Sequence, residues 1–312
     1  MLLYLTRRLG VSLLVLWVIA TVTFLLMHNL PGGPFTGEKR LPEAIRENLE
    51  ERYQLQAPVW HRYRAFLGNL LRFDLGPSFR YLGKDVNQLL AESFPVSATL
   101  GVLALALAFG FGVPLGIQGA VRQGTFPDQL ILIFTALGMG LPAFVLAPVL
   151  LYLFALKLGW LPPALWGSPA QLVLPVLSLA VLPTALVTRL VRSSMAAVLP
   201  ADYLRTARAK GLPERVVLYR HALRNALIPV LAYLGPLAAG VLTGSFVIER
   251  VFALPGLGEH FVTSIYNRDY GVIMGVTIFY STLLVGINLL VDLVCAYLHP
   301  RFELMGRREG GY

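Results

Sequence analysis

Chemistry needs polar residues grouped in space, and this sequence scatters them. The nearest approach to a phosphate-binding loop runs from Gly32 to Lys39, but the lysine falls one position late, behind Glu38, and no serine or threonine follows it. Gly256-Leu257-Gly258 lacks both the third glycine of a dinucleotide loop and a preceding strand. The histidines, His28, His61, His221, His260 and His299, have no metal-ligand spacing. Ser178, Thr184, Ser245 and Thr277 lie in apolar runs with no histidine at comparable depth, whereas an intramembrane hydrolase needs a nucleophile facing a base. One acid, Asp292, sits inside an apolar run, with Asn288 one helical turn earlier on the same face. A packed interhelical hydrogen bond accounts for that pair, and a proton relay would need more partners. These patterns describe a non-catalytic chain with no metal and no cofactor of its own.

The elements available to position a site are apolar helices. Of 312 residues, 56% are hydrophobic and 14% charged, against about 45–50% and about 25% in soluble domains. Six runs, Leu9–Leu30, Pro95–Val121, Leu130–Lys157, Leu172–Val191, Leu227–Ile248 and Val272–Leu298, reach or exceed the length that crosses a hydrocarbon core. A membrane β-barrel would instead alternate over short segments. The expected fold is therefore all-α, a polytopic membrane bundle of six transmembrane helices. The first run follows Arg7-Arg8, is 22 residues long and has no small-x-small cleavage site behind it, so it reads as a retained span rather than a signal peptide.

A net charge of +9 raises the question of nucleic acid, and the charge map answers it. Arg122 follows the second span, the stretch Arg189 to Arg224 around the fourth gap holds eight Lys/Arg against two Asp/Glu, and Arg301, Arg307 and Arg308 follow the sixth. The alternate gaps hold Lys157 alone or the balanced set Glu249, Arg250, Glu259, Arg268 and Asp269. Basic residues mark the cytoplasmic side, which places both termini in the cytoplasm of a multi-pass protein and leaves no call for nucleic acid. The lone Cys295 excludes an intrachain disulfide.

Three regions follow: 1–95, a first span plus an external amphipathic region; 96–299, the transmembrane domain, with a cytoplasmic loop at 192–226; and a cytoplasmic tail at 300–312. In the external region Ile45, Leu49 and Tyr53 form one helical stripe and Trp60, Tyr63, Leu67, Leu70 and Leu71 a second. These are two amphipathic helices on the bilayer surface or over the bundle, or else a locally folded loop. Within the spans, Gly112/Gly116 and Gly240/Gly244 have the spacing that lets helix backbones approach. Pro142, Pro148, Pro175, Pro183, Pro229 and Pro236 supply places to kink.

The loop at 192–226 is punctuated like a built object. Asp202 can cap a helix from Tyr203 to Lys210, Gly211 closes it, and Leu212-Pro213 opens a second helix that runs through Glu214 to Arg224 with proline at its first position. Two helices around a rigid corner suit docking into a partner's groove.

The segment Asp202-Tyr203-Leu204-Arg205-Thr206-Ala207-Arg208-Ala209-Lys210-Gly211-Leu212, continued by Arg220-His221-Ala222-Leu223-Arg224-Asn225-Ala226-Leu227-Ile228-Pro229, resembles the coupling loop of ATP-binding-cassette importer permeases, in particular the dipeptide/oligopeptide branch. The resemblance extends over the chain, through Arg7-Arg8-Leu9, Leu30-Pro31-Gly32, Gly68-Asn69-Leu70-Leu71, Asp74-Leu75-Gly76, Phe252-Ala253-Leu254-Pro255-Gly256-Leu257-Gly258 and Pro300-Arg301. The broad family pattern is Glu-Ala-Ala, three residues, Gly, nine residues, Ile, one residue, Leu-Pro. Here those positions read Arg205-Thr206-Ala207, Gly211, His221 and Leu223-Arg224, so a salt bridge built on the family glutamate has no counterpart.

The resemblance implies a type I importer permease fold and an ATPase-docking surface made of Tyr203, Arg205, Thr206, Ala207, Arg208, Lys210, Gly211, Leu212 and Leu223. It also implies a second, homologous permease, two ATPase subunits that bind ATP and Mg, an extracytoplasmic substrate-binding protein, and a bacterial or archaeal plasma membrane with its lipid. Peptides are the implied cargo, with nickel, glutathione or oligosaccharides as the alternatives within the importer class. The scarcity of intramembrane charge argues against an ion-coupled secondary transporter.

Overall fold

The computed structural model describes residues 2–30, 57–81, 83–163 and 165–298. The Ile45-Leu49-Tyr53 stripe, the Gly32 to Lys39 stretch and the 300–312 tail lie outside them. In chain order the helices are α1 (Leu2–Asn29), α2 (Val59–Leu71), α3 (Val86–Val121), α4 (Phe126–Gly140), α5 (Ala143–Leu150, continued by a π-helical turn Leu151–Lys157) and α6 (Pro169–Val198). They continue as α7 (Asp202–Ala209), α8 (Glu214–Val216, continued by a π-helical turn Val217–Ala222), α9 (Leu223–Leu242), α10 (Phe246–Val251), α11 (Leu257–Asn267) and α12 (Tyr270–Leu298). No strand occurs among the described residues; one isolated bridge joins Pro77 and Asp85.

Five helical stretches are long and apolar enough to cross a membrane, and the pair α4 and α5 makes a sixth if counted as one bent span. That pair departs from the expected straight span over Leu130–Lys157. It bends by 103° at Leu141-Pro142. The cause is local: Pro142 crowds the residue before it away from helical geometry, and Leu141 sits at φ −87, ψ 112, while Pro142 itself starts α5 at ψ 141. Each arm is then about 22 Å long, short of a bilayer core.

The chain forms two compact units, Met1–Val96 with Pro255–Val285 and Ser97–Leu254 with Gly286–Tyr312. In the first unit, α2 packs along the C-terminal half of α1. Phe24 stacks on Phe66 and tilts against Tyr63, the Tyr63 hydroxyl pairs with Thr21 at 2.7 Å, and Arg62 reaches His28 Nδ1 at 3.3 Å. Thr21, Phe24 and His28 recur at helical spacing on one face of α1, and Leu13, Leu14 and Trp17, which continue that face into the N-terminal half, are exposed. The unit's core holds Val86, Leu89 and Leu90 from α3, Leu257 from α11, and Val272 and Val276 from α12. Gly271 and Gly275 leave no room for a Cβ, which would run into the Pro77 carbonyl and Val86.

The second unit is organised on α6. A capping box formed by Ser168 and Gln171 starts it, with Pro169 in the first turn, where its missing N–H costs nothing. Helices α4, α5, α9 and α10 all pack on it. The α3 glycines behave as their spacing predicts: a Cβ on Gly112 would stand 3.0 Å from Val187, and one on Gly116 2.6 Å from Val191, so the two backbones cross closely. Gly240 and Gly244 do not form such a face. Gly240 has open space around it, and Gly244, at φ +86, lies in the break between α9 and α10. On α12, Asn288 packs directly against Gly235 of α9, and Asp292 one turn later is half-buried.

Candidate functional site

Helix α7 begins at Asp202, with Ala201 in extended geometry before it and no side-chain cap. Asp202 therefore does not cap the helix as its sequence position suggests. It occupies the first helical position with an exposed carboxylate, where it complements the helix dipole, and its 3.5 Å approach to Arg205 is a solvent-screened pair. Leu204 (0% exposed) and Ala207 (7%) point inward. Tyr203, Arg205, Thr206, Arg208 and Lys210 form the outward face.

The corner follows. Gly211 adopts φ +76, its N–H donates to the Arg208 carbonyl at 2.9 Å, and the Leu212 N–H donates to the Ala207 carbonyl at 3.3 Å. Nothing lies within 4 Å of where a Cβ on Gly211 would be, so glycine is needed for its backbone and not for space. Pro213 sits just before α8 and not at its first position; its carbonyl accepts from Val216 and Val217. Two side-chain ties span the turn: Arg208 donates from Nε and Nη2 to Glu214 at 3.2 and 2.9 Å, and Asn225 Nδ2 donates to the Tyr203 hydroxyl at 2.7 Å. The second helix does not stop at Arg224 but passes through the π-helical turn straight into α9.

Of the residues expected to dock, seven are exposed together on this corner: Tyr203, Arg205, Thr206, Arg208, Lys210, Gly211 and Leu212. Ala207 and Leu223 face the protein instead. They pack with Ile117 and Ala120 of α3, Val187, Val191 and Met195 of α6, Val217 and Ala222 of the π turn, and Ala226 and Val230 of α9. The small side chain of Ala207 thus seats the helix on its own core.

A cavity of about 510 Å³ lies elsewhere in the same unit, between the α4–α5 bend (Leu141, Ala143, Leu146), α6 (Ser178, Leu182), α9 (Tyr233, Pro236, Gly240) and the α9–α10 break (Gly244, Ser245, Phe246). No charged side chain lines it. Both helix interruptions open onto it, an arrangement by which membrane proteins expose backbone groups to a passing solute.

Sequence reasoning missed three buried acids. Asp128 in the first turn of α4 forms a two-pronged pair with Arg192 of α6. Glu249, placed by its sequence context in a gap between spans, is fully buried in α10 and accepts from Ser97 Oγ at 2.7 Å. Asp269, 1% exposed, caps α12 through the Val272 N–H and accepts from Ser78 Oγ and the N–H groups of Phe79 and Arg80. Asp128 alone stood out in the sequence, as the one acid between Glu92 and Asp202, but its place in the short gap between two apolar runs gave no sign of burial.

Residues 112–304 match the family model described as the binding-protein-dependent transport system inner membrane component. The chain is 46% identical to the dipeptide transport system permease protein DppB of Bacillus subtilis, over 96% of this chain and 98% of that protein. It is 43% identical to the oligopeptide transport system permease protein OppB of Haemophilus influenzae, over 97% of this chain and all of that protein. Among solved structures, the inward-facing MetNI methionine ABC transporter aligns with a TM-score of 0.56 at 16% identity, covering 68% of this chain and 97% of that one. That likeness bears out the expected importer-permease fold. With a helical bundle of membrane-spanning length and a family match over most of its transmembrane part, the chain belongs to the binding-protein-dependent transport system inner membrane components.

Proposed function

We propose that this chain is the permease half of an ATP-driven importer of small peptides, working in a bacterial or archaeal plasma membrane beside a second, homologous permease. The observation that carries the coupling part is the corner at 202–214: a helix seated by Leu204 and Ala207 that leaves seven of the expected docking residues exposed together around a glycine with φ +76. Docking to a groove of a partner uses such a shape. Two ATPase subunits, holding ATP and Mg themselves, would receive the corner, and an extracytoplasmic binding protein would deliver cargo. This chain is then a non-catalytic subunit with both termini in the cytoplasm, and residues 96–299 form its transport domain. Peptide cargo is favoured by the near-full-length likeness to permeases named for dipeptides and oligopeptides. The uncharged cavity agrees with cargo of varied side chains, since it offers no fixed ion to select one.

Cysteines at Tyr203 or Arg208, in a chain whose Cys295 has been replaced, test the docking. They should crosslink to a co-expressed ATPase subunit, and the yield should change with nucleotide. A scan of 203–212 without crosslinks in any nucleotide state would sink the docking reading. Uptake of labelled peptides that persists after ATP depletion, at clamped membrane potential, would return the ion-coupled alternative.

A further inference from the structure

Asp128 is 2% exposed and the Arg192 side chain 18%. Arg192 Nε donates to Asp128 Oδ1 at 2.6 Å and Nη2 donates to Oδ2 at 2.7 Å, while the Gly124 N–H donates to Oδ2 at 2.9 Å. Gly119 of α3 completes the site: a Cβ there would stand 3.1 Å from Arg192 Cδ and 3.3 Å from Asp128 Oδ1. Three helices and the 122–125 turn therefore meet at one bidentate pair. Stability alone is a weak reason for such a pair, because removing two charges from water offsets most of their attraction, and apolar side chains of similar size often do as well. What a two-pronged pair adds over apolar contact is direction, since it resists sliding and rotation.

The neighbourhood shows where direction matters. Farther along α4, Gly138 meets α6 at Ala185 and Val181, a close crossing of apolar side chains beside the exposed Arg189–Met139 contact, without the directionality of an ion pair. On α6, Val191 and Met195 flank Arg192 and belong to the cluster that seats Leu204 and Ala207 of α7. At its other end α4 stops at the 103° bend, where Leu141 and Ala143 line the cavity.

We infer that the Asp128–Arg192 pair is a positioning contact that fixes α4 to the base of the docking helix, so that displacement of α7 reaches the α4–α5 bend and the cavity behind it. The inference rests on the ATPase-docking reading of residues 202–212. A moved α7 shifts Leu204 and Ala207, they press on Val191 and Met195, and Arg192 on the same helix carries Asp128 with it. Without the pair, the apolar crossing slips and α4 stays behind.

The test uses the complete complex of both permeases, the ATPases and the binding protein in proteoliposomes, reading assembly, ATP hydrolysis and peptide uptake together. Asp128→Asn and Arg192→Gln should each assemble and hydrolyse ATP, with uptake per ATP down about tenfold, the order of a typical coupling between sites. The exchange Asp128→Arg/Arg192→Asp should restore most of that ratio. The apolar pair Asp128→Leu/Arg192→Met should assemble with native-like thermal stability but not restore the ratio, which separates positioning from packing. Unchanged uptake per ATP in the single variants overturns the inference, and so does an apolar pair that couples like the native chain. Should the single variants not assemble, the exchanged and apolar pairs decide, and equal coupling in both counts against it. Loss of ATPase crosslinks from Tyr203 and Arg208 in the native chain would instead remove the docking reading beneath it.

Discussion

The corner at 202–214 and the knot around Asp269 are both tight turns next to helices, and they are built on opposite principles. At Asp269 nearly everything points inward: a buried carboxylate takes hydrogen bonds from Ser78, Phe79, Arg80 and Val272, and Gly271 beside it has no space for a side chain. At the corner the backbone is as strictly specified, through Gly211, but the side chains around it stand in solvent and their ion pairs are exposed. A turn satisfied from within holds its own unit together. A turn shaped with care and left open on one side is finished by something else.

Substitutions should sort along that contrast. The largest effect is expected at Asp269→Ala, which strips several N–H groups of a buried acceptor and should cost about 3 kcal/mol or more, read as a lowered melting temperature of the detergent-purified protein. Asp269→Asn keeps one oxygen and should cost less. Next comes Gly211→Val, which forces a β-branched residue into left-handed geometry at about 1–2 kcal/mol. Because nothing crowds that Cβ, the protein should still insert and fold, with its uptake per ATP cut sharply, and Gly211→Asn should retain most of it. If Gly211→Val unfolds the chain as Asp269→Ala does, the corner is a structural turn like the other. The smallest effect belongs to Arg208→Ala. Its partner Glu214 raises the guanidinium pKa chiefly by hydrogen bonding, yet both groups are exposed and the stability change should stay within about 0.5 kcal/mol. A larger loss in uptake than in stability would then report contact with a partner.

What was legible in the sequence follows from how local each cause is. The spans are long apolar runs and the corner is spelled by Gly211-Leu212-Pro213, each readable within one window. The bend at Leu141-Pro142 was written there too, but an unbroken apolar run hid it, since proline inside a span is common enough to pass as a kink. The Gly240/Gly244 spacing misled because it counts as one helix face only if the helix continues, and it ends at Leu242. Asp128 and Arg192 are 64 positions apart, and Ser97 and Glu249 are 152. Pairings at that range depend on how helices cross, which periodicity does not encode. Burial of Glu249 reverses the usual expectation for a charge between spans, and a buried carboxylate is tolerated where it is hydrogen-bonded, as Glu249 is to Ser97.

The junction without a linker, where α8 passes through its π turn into α9, has a mechanical consequence. Residues from Glu214 to Leu242 form one unbroken rod of about 40 Å. Its foot stands at the corner, and its head stops at the Thr243-Gly244-Ser245 break, beside the cavity. The π turn at Val217–Ala222 and the prolines Pro229 and Pro236 are the places where it can bend, and a push at the foot divides between bending there and tilting of the whole run. Tilting the foot by about 10° would swing the head by about 7 Å, more than a helical pitch of about 5.4 Å. Where the run tilts as one body, a small displacement at the corner becomes a larger one at the break beside the cavity.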